Sequence, residues 1–123
     1  MKPGKTGLAR LVDATGYSFR GLAVAFRNEA AFRQELLLVA VLGAASFFLA
    51  DNALEWLALV VPLVILLIVE LLNSAIENTV DRIGDEIHPL AGRAKDMGSA
   101  AVFLSLLLIA ICWGAVAWGH WHG

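Results

Sequence analysis

Cysteine occurs once, at Cys112. No intrachain disulfide can form, and the position inside an apolar run reads as a buried free thiol. Charge is scarce too. Only 16% of the residues are Asp, Glu, Lys or Arg, and the formal net charge of −2 offers no basic field that would recommend nucleic acid as a partner. The first 35 residues carry too many charges to hold the apolar core of a cleavable signal peptide. No Gly-x-x-x-x-Gly-Lys-Ser/Thr phosphate loop occurs anywhere, and the protein-kinase signatures are missing as well. A nucleotide-using enzyme with this sequence needs a site of its own kind. There is no internal repeat, low-complexity tract or composition shift, so residues 1–123 read as one domain.

What the chain has in abundance is apolar sequence, 59% of its residues, a balance that soluble domains of this size rarely reach. Three long runs hold most of it. Leu36 to Ala50 is fifteen residues long, roughly 22 Å as a helix, and needs Ala30, Ala31 and Phe32 to reach a hydrocarbon thickness of roughly 30 Å. Trp56 to Ile76 is 21 residues long with Glu70 inside it, and Met97 to Trp118 is 22 residues without a charge. Over most of their length these segments have no polar face for water. The expected fold is an all-α membrane protein with spans over about 30–50, 54–84 and 93–120.

The basic residues orient it. Lys2, Lys5, Arg10, Arg20, Arg27 and Arg33 precede the first span, and Arg82, Arg93 and Lys95 lie between the second and third. The positive-inside rule puts the N-terminus and second loop in the cytoplasm and the C-terminus outside, as expected for a multi-pass protein of the bacterial plasma membrane. Trp56, Trp118 and Trp121 then fall near the outer interface, where tryptophan is enriched. Ahead of the spans, residues 5–27 read as an amphipathic surface helix. Leu8, Leu11, Val12, Thr15, Phe19, Leu22 and Phe26 share an arc of about 100°, and the arginines lie over anionic headgroups. Gly16 and Gly21 weaken it, and a break or bend is expected there. Pro62 is expected to kink the second span.

The chemistry concentrates in Glu70-Leu-Leu-Asn73-Ser74-Ala-Ile-Glu77-Asn-Thr-Val-Asp81-Arg82. At about 100° per residue, Glu70, Asn73, Ser74, Glu77 and Asp81 share one helix face. An acidic side chain at the centre of a span costs about 2.5 kcal/mol or more, less near the interface. Glu70 persists there by protonation, by pairing or by facing a wet cavity, and a general base is the functional reading. The competing reading is that Glu70 and Asn73 only bond helices together. Three carboxylates on one face call for a cation. Glu29, in Asn28-Glu29-Ala30-Ala31-Phe32-Arg33-Gln34-Glu35, is the candidate to share Mg²⁺ with Glu77, because Mg²⁺ favours oxygen ligands and keeps positions open for phosphates. In the second loop Arg93 and Lys95 are available to phosphate oxygens, and Gly84, Pro89 and Gly92 fit a turn. His88 alone is a weak ligand signal. His120-Trp121-His122 is a possible metal ligand pair, read here as a frayed tail.

Four of these stretches resemble one family. Glu70-x-x-Asn73-Ser-Ala-Ile-Glu77-x-x-Val-Asp81-Arg-Ile-Gly, Asn28 to Glu35, Gly16-Tyr-Ser, and Gly92-Arg-Ala-Lys-Asp-Met-Gly-Ser-Ala-Ala-Val102 look like the motifs of the prokaryotic integral-membrane diacylglycerol kinases. They occur in order, without obvious gaps, from about residue 7 to residue 118. The resemblance implies a homotrimer with a surface helix and three spans per subunit, and sites composed across subunit boundaries. It implies ATP-dependent phosphorylation of diacylglycerol to phosphatidic acid, with Glu70 as general base, Asn73 beside it, and Glu29 and Glu77 holding Mg²⁺ on ATP. It further implies nucleotide contacts from Arg10, Tyr17, Glu86, His88, Lys95 and Asp96. Lipid contacts would come from Arg10, Gly16, Tyr17, Ser18, Ala31, Phe32, Arg33, Gln34, Glu35, Glu70, Ser99, Trp113 and Trp118. The chain departs from the family pattern at Ala23, Phe19 and Phe26, where a basic residue and tryptophans are usual.

The nearest alternative is an undecaprenol kinase of the same fold, which shares the catalytic stripe and differs only in its lipid groove. A non-enzymatic membrane transport subunit, with Glu70 as a proton carrier, leaves Glu29, Lys95 and Asp96 without roles. A lipid phosphatase would need a cytoplasmic-side nucleophile, for which His88 is the sole candidate.

Overall fold

A computed structural model describes residues 6–84 and 87–123, and among them every regular element is helical. The order is α1 (Gly7–Asn28), α2 (Ala30–Leu49), α3 (Ala53–Ile83) and α4 (Pro89–His122). The last three are each long and apolar enough to cross a membrane, so the chain is a multi-pass membrane protein. The 20 residues of α2 rise about 30 Å, barely one hydrocarbon thickness. The 31 residues of α3 rise about 46 Å, so the helix outruns that thickness by about 16 Å. The surplus is polar. It is the end that carries Asn73, Glu77 and Asp81.

Chain reversals are set by local side-chain chemistry. A single non-helical residue, Glu29 (φ −116°, ψ 105°), separates α1 from α2. Its N–H still donates to Ala25 O at 2.9 Å. Arg33 then reaches back, its Nη1 donating to Phe26 O at 2.8 Å and Arg27 O at 3.2 Å, which satisfies carbonyls the end of α1 leaves open. At the start of α3, Asn52 Oδ1 accepts the Glu55 N–H at 2.9 Å. Glu55 Oε1 in turn accepts the Asp51 N–H at 3.0 Å, a reciprocal arrangement close to a capping box. Gly84 ends α3, and His88 caps α4 by accepting the Leu90 N–H on Nδ1 at 3.1 Å.

Two expectations about breakers are corrected. No break occurs at Gly16 or Gly21, which both lie inside α1. Pro89 and Gly92 belong to the first turn of α4 rather than to a loop. Proline suits that position, where its missing N–H has no helical partner to lose and its fixed φ is already helical.

α3 is the central element, packed against both α2 and α4. Leu63, Leu66 and Ile109 form the buried cluster, with Val39, Leu42, Val102 and Trp113 packed around it. Pro62, which gives no N–H to the ladder, is also buried there. In the same turn Leu59 O accepts from Trp113 Nε1 at 3.0 Å, a tie from α4 to the interrupted part of α3. Three serines, Ser46, Ser74 and Ser105, lie inside. Ser46 and Ser105 are buried and donate to their own helices, at Gly43 O (2.6 Å) and Val102 O (2.7 Å). Large apolar side chains such as Phe48, Leu54, Val64, Phe103 and Ile111 point outward, the distribution expected where the surroundings are lipid or other apolar helices.

Candidate active site

The polar stripe of α3 is graded by burial. Glu70 is 3% exposed and Ser74 6%; Asn73 and Glu77 are half-buried, and Asp81 is exposed. From Asp81 to Glu70 is eleven residues, about 16 Å along the axis, so the innermost carboxyl sits well inside the helix bundle. The hinge at Glu29 and the first turns of α2 bring two more acidic residues to it. Glu35 faces Glu70 carboxyl to carboxyl, within hydrogen-bonding reach. Glu35 Oε2 is buried without a donor. Glu29 and Glu77 both lie close enough to act electrostatically on Glu70. Four carboxyls from α3, the α1–α2 hinge and α2 thus converge at one place.

Two amides steady the outer pair. Asn73 Nδ2 donates to Glu77 Oε1 at 3.2 Å, and Asn78 Nδ2 donates to Glu29 Oε1 at 3.4 Å. Among the described residues, no ion pair joins either glutamate to a basic side chain. Lys95 acts on Glu77 electrostatically. Its ammonium pairs instead with Asp81 at 2.8 Å, both side chains being largely exposed. Such a pair contributes little to stability, so Lys95 leaves it at little cost. A cleft of about 500 Å³ lies beside Glu29, lined by Ser18, Leu22, Leu71, Ser74 and Asn78 among others. A second, of about 340 Å³, borders Asp81, His88 and Lys95.

Asn73 also marks a close approach of α3 to α4. Gly98 is buried, and a Cβ placed on it would collide with Asn73 Oδ1. That oxygen is itself buried without a donor. Glycine leaves room here for the Asn73 side chain of one helix to lie against the backbone of the other.

The remaining sequence-nominated residues are dispersed. Arg10, Gly16, Tyr17 and Ser18 line α1, exposed, with the Arg20 guanidinium 4.5 Å over the Tyr17 ring. Ala31, Arg33 and Gln34 are exposed on α2, whereas Phe32 is buried. Asp96 and Ser99 are exposed on α4. Trp113 is drawn into the α3–α4 core, and exposed Trp118 stands near the far end of α4. Glu86 lies outside the described residues. Asn78 is the residue sequence reasoning missed. It adjoins Glu77 but falls off the stripe, and only the α1–α2 hinge turns it into a partner of Glu29.

Carboxyls from α3, the α1–α2 hinge and α2 thus lie together, two of them bonded to amide side chains. The family model for prokaryotic diacylglycerol kinase matches residues 16–117. The chain belongs to the prokaryotic diacylglycerol kinase family. Its relatives agree along nearly the whole length. A diacylglycerol kinase of Pseudomonas aeruginosa is 51% identical over 116 residues, covering 94% of each chain. That of Haemophilus influenzae is 47% identical over 111 residues, covering 90% of this chain and 94% of its own. That of Escherichia coli K12 is 46% identical over 120 residues, covering 98% of both. All four converging carboxyls lie inside the stretch matched to this kinase family.

Proposed function

We propose that this chain phosphorylates diacylglycerol with ATP, forming phosphatidic acid at the cytoplasmic face of a bacterial inner membrane, as a homotrimer. The observation that carries the reading is Glu70, a nearly inaccessible carboxyl set among acceptors that lack donors. A lipid's primary hydroxyl supplies a donor, and it lies just beneath the headgroups at the depth of this residue. The names of the relatives support the same substrate. The crowding of basic residues at the N-terminus and in the α3–α4 connection supports the orientation.

Phosphoryl transfer asks the protein mainly for positioning and charge neutralisation. Glu70 takes the hydroxyl proton as the lipid oxygen bonds to the γ-phosphorus and the bond to the ADP oxygen breaks. Glu35, facing Glu70, holds that carboxyl at the reacting hydroxyl. Glu29 and Glu77 fit a divalent metal: they are oxygen donors from two elements, oriented by Asn78 and Asn73, with no basic partner among the described residues. Mg²⁺ bound there with ATP would offset phosphate charge while leaving positions open for phosphate oxygens. Lys95 moves from Asp81 to the phosphates. By family resemblance Arg10, Tyr17, Glu86, His88 and Asp96 complete the nucleotide contacts, and α1 lies as an amphipathic helix at the membrane surface. Ser18, on the cleft beside Glu29, with Ala31 to Glu35, borders the lipid's path, and Ser99, Trp113 and Trp118 extend the lipid contacts along α4. The outward apolar faces of the spans leave surface for neighbouring subunits.

Glu70→Gln removes the base while keeping the shape. Turnover in mixed micelles should fall about 10²- to 10⁴-fold with helical content unchanged. Near-normal turnover by a folded variant would reject Glu70 as the base. Running the transfer on diacylglycerol and undecaprenol side by side separates the two lipid kinases.

A further inference from the structure

The end of the bundle opposite the carboxyl cluster gathers a second set of metal-ligating side chains that phosphoryl transfer does not use. Asp51 stands in the α2–α3 connection, Glu55 in the first turn of α3, and His120 in the last turn of α4. His120 Nε2 lies 2.8 Å from Glu55 Oε1 and 3.2 Å from Asp51 Oδ2. One ligand atom from each of the three lies within 4.8 Å of the others. The Glu55 carboxylate is held independently of the histidine, since its Oε1 also accepts the Asp51 N–H, and Asn52 caps the helix there. His122 takes no part; its ring stacks on Trp118 at 3.9 Å. The tail is therefore helical to His122, and its first histidine, not the pair, meets the acidic residues.

We propose that Asp51, Glu55 and His120 form a binding site for a borderline divalent metal ion of the Zn²⁺ type, distinct from the Mg²⁺ expected with ATP. The donor set argues for the ion. One imidazole nitrogen with two carboxylate oxygens suits zinc, whereas Mg²⁺ and Ca²⁺ favour oxygen alone. Zinc–ligand bonds of about 2.0–2.2 Å in a tetrahedron place ligand atoms about 3.3 Å apart. The spacings of 2.8 and 3.2 Å need to open by only a few tenths of an ångström. Three protein ligands leave the fourth position to water, and the partial exposure of all three side chains gives the ion access. An ion here joins the ends of α3 and α4 to the α2–α3 connection, and by binding the folded chain it stabilises that arrangement.

The test uses the full-length protein in detergent, free of a polyhistidine tag and stripped of metal. Co²⁺ and then Zn²⁺ are titrated in with excess Mg²⁺ present to mask the Glu29–Glu77 region. Expected are one ion per chain, visible Co²⁺ bands of a low-coordinate site that Zn²⁺ abolishes, and a thermal midpoint that rises with Zn²⁺. His120→Gln and Glu55→Gln should weaken binding by about 100-fold or more, at least the loss expected for an outer-shell partner. Glu77→Gln should leave it unchanged. Asp51→Asn, an exposed change outside the helices, decides the matter should either of the others fail to fold. Kinase activity should be retained in the His120, Glu55 and Asp51 variants. The proposal falls if no stoichiometric ion binds, if binding survives His120→Gln intact, or if Glu77→Gln removes it.

Discussion

Replacing Gly98 with alanine tests whether the α3–α4 seam holds the reacting carboxyls in register. The added Cβ collides with Asn73 Oδ1 and crowds Asn73 Cγ at 3.3 Å, while the Asn73 Cα, at 3.9 Å, is in ordinary contact. The backbones therefore have room and the amide does not. Either the helices separate, an overpacking cost of about 1–3 kcal/mol, or the amide swings away and gives up its bond to Glu77. A hydrogen bond to a charged group is worth about 1.5–3 kcal/mol. Where that support is felt in the transition state, the loss is roughly 10- to 100-fold in turnover. Steady-state transfer in mixed micelles, with Mg²⁺ titrated, reads the effect, and a thermal melt reads the overpacking. Asn73→Ala removes the obstructing amide, so Gly98→Ala on that background should cost little further turnover. Gly114→Ala, whose Cβ meets open space, serves as the neutral change on the same helix. Wild-type turnover and Mg²⁺ dependence in Gly98→Ala, or effects that simply add to those of Asn73→Ala, would refute the reasoning.

Asn78→Ala deletes the 3.4 Å bond to Glu29; a net bond of about 0.5–1.5 kcal/mol should raise the Mg²⁺ concentration for half-maximal activity by roughly two- to tenfold, with little change in the affinity for lipid. An unaltered Mg²⁺ titration would remove Asn78 from the site. Arg33→Ala uncovers the carbonyls of Phe26 and Arg27, so amides in the last turn of α1 and at the hinge should exchange hydrogen faster, while those of α3 keep their protection. Equal protection throughout would show that Arg33 does not set the hinge.

Much of this arrangement is written in periodicity. Uninterrupted apolar runs can be satisfied only as helices when no water is available to the backbone, so α2, α3 and α4 follow from composition and length. The stripe at Glu70, Asn73, Ser74, Glu77 and Asp81 follows from the helical repeat alone, and its grading from buried to exposed matches its approach to the end of α3. Four ordered motifs carried the family. Convergence between elements was not legible. That Glu35 faces Glu70, that Asn78 holds Glu29, and that His120 meets Glu55 across 65 positions each depend on where one helix stops and how the next leans on it. Glu29 breaks a helix without being a typical breaker, and the small size of Gly98 matters only because Asn73 lies against it. Residues within one helix are related by a fixed rotation and rise, which a linear pattern records. Residues on different helices are related by packing, which depends on the shapes of all side chains at the seam together, and so appears only once the chain is folded.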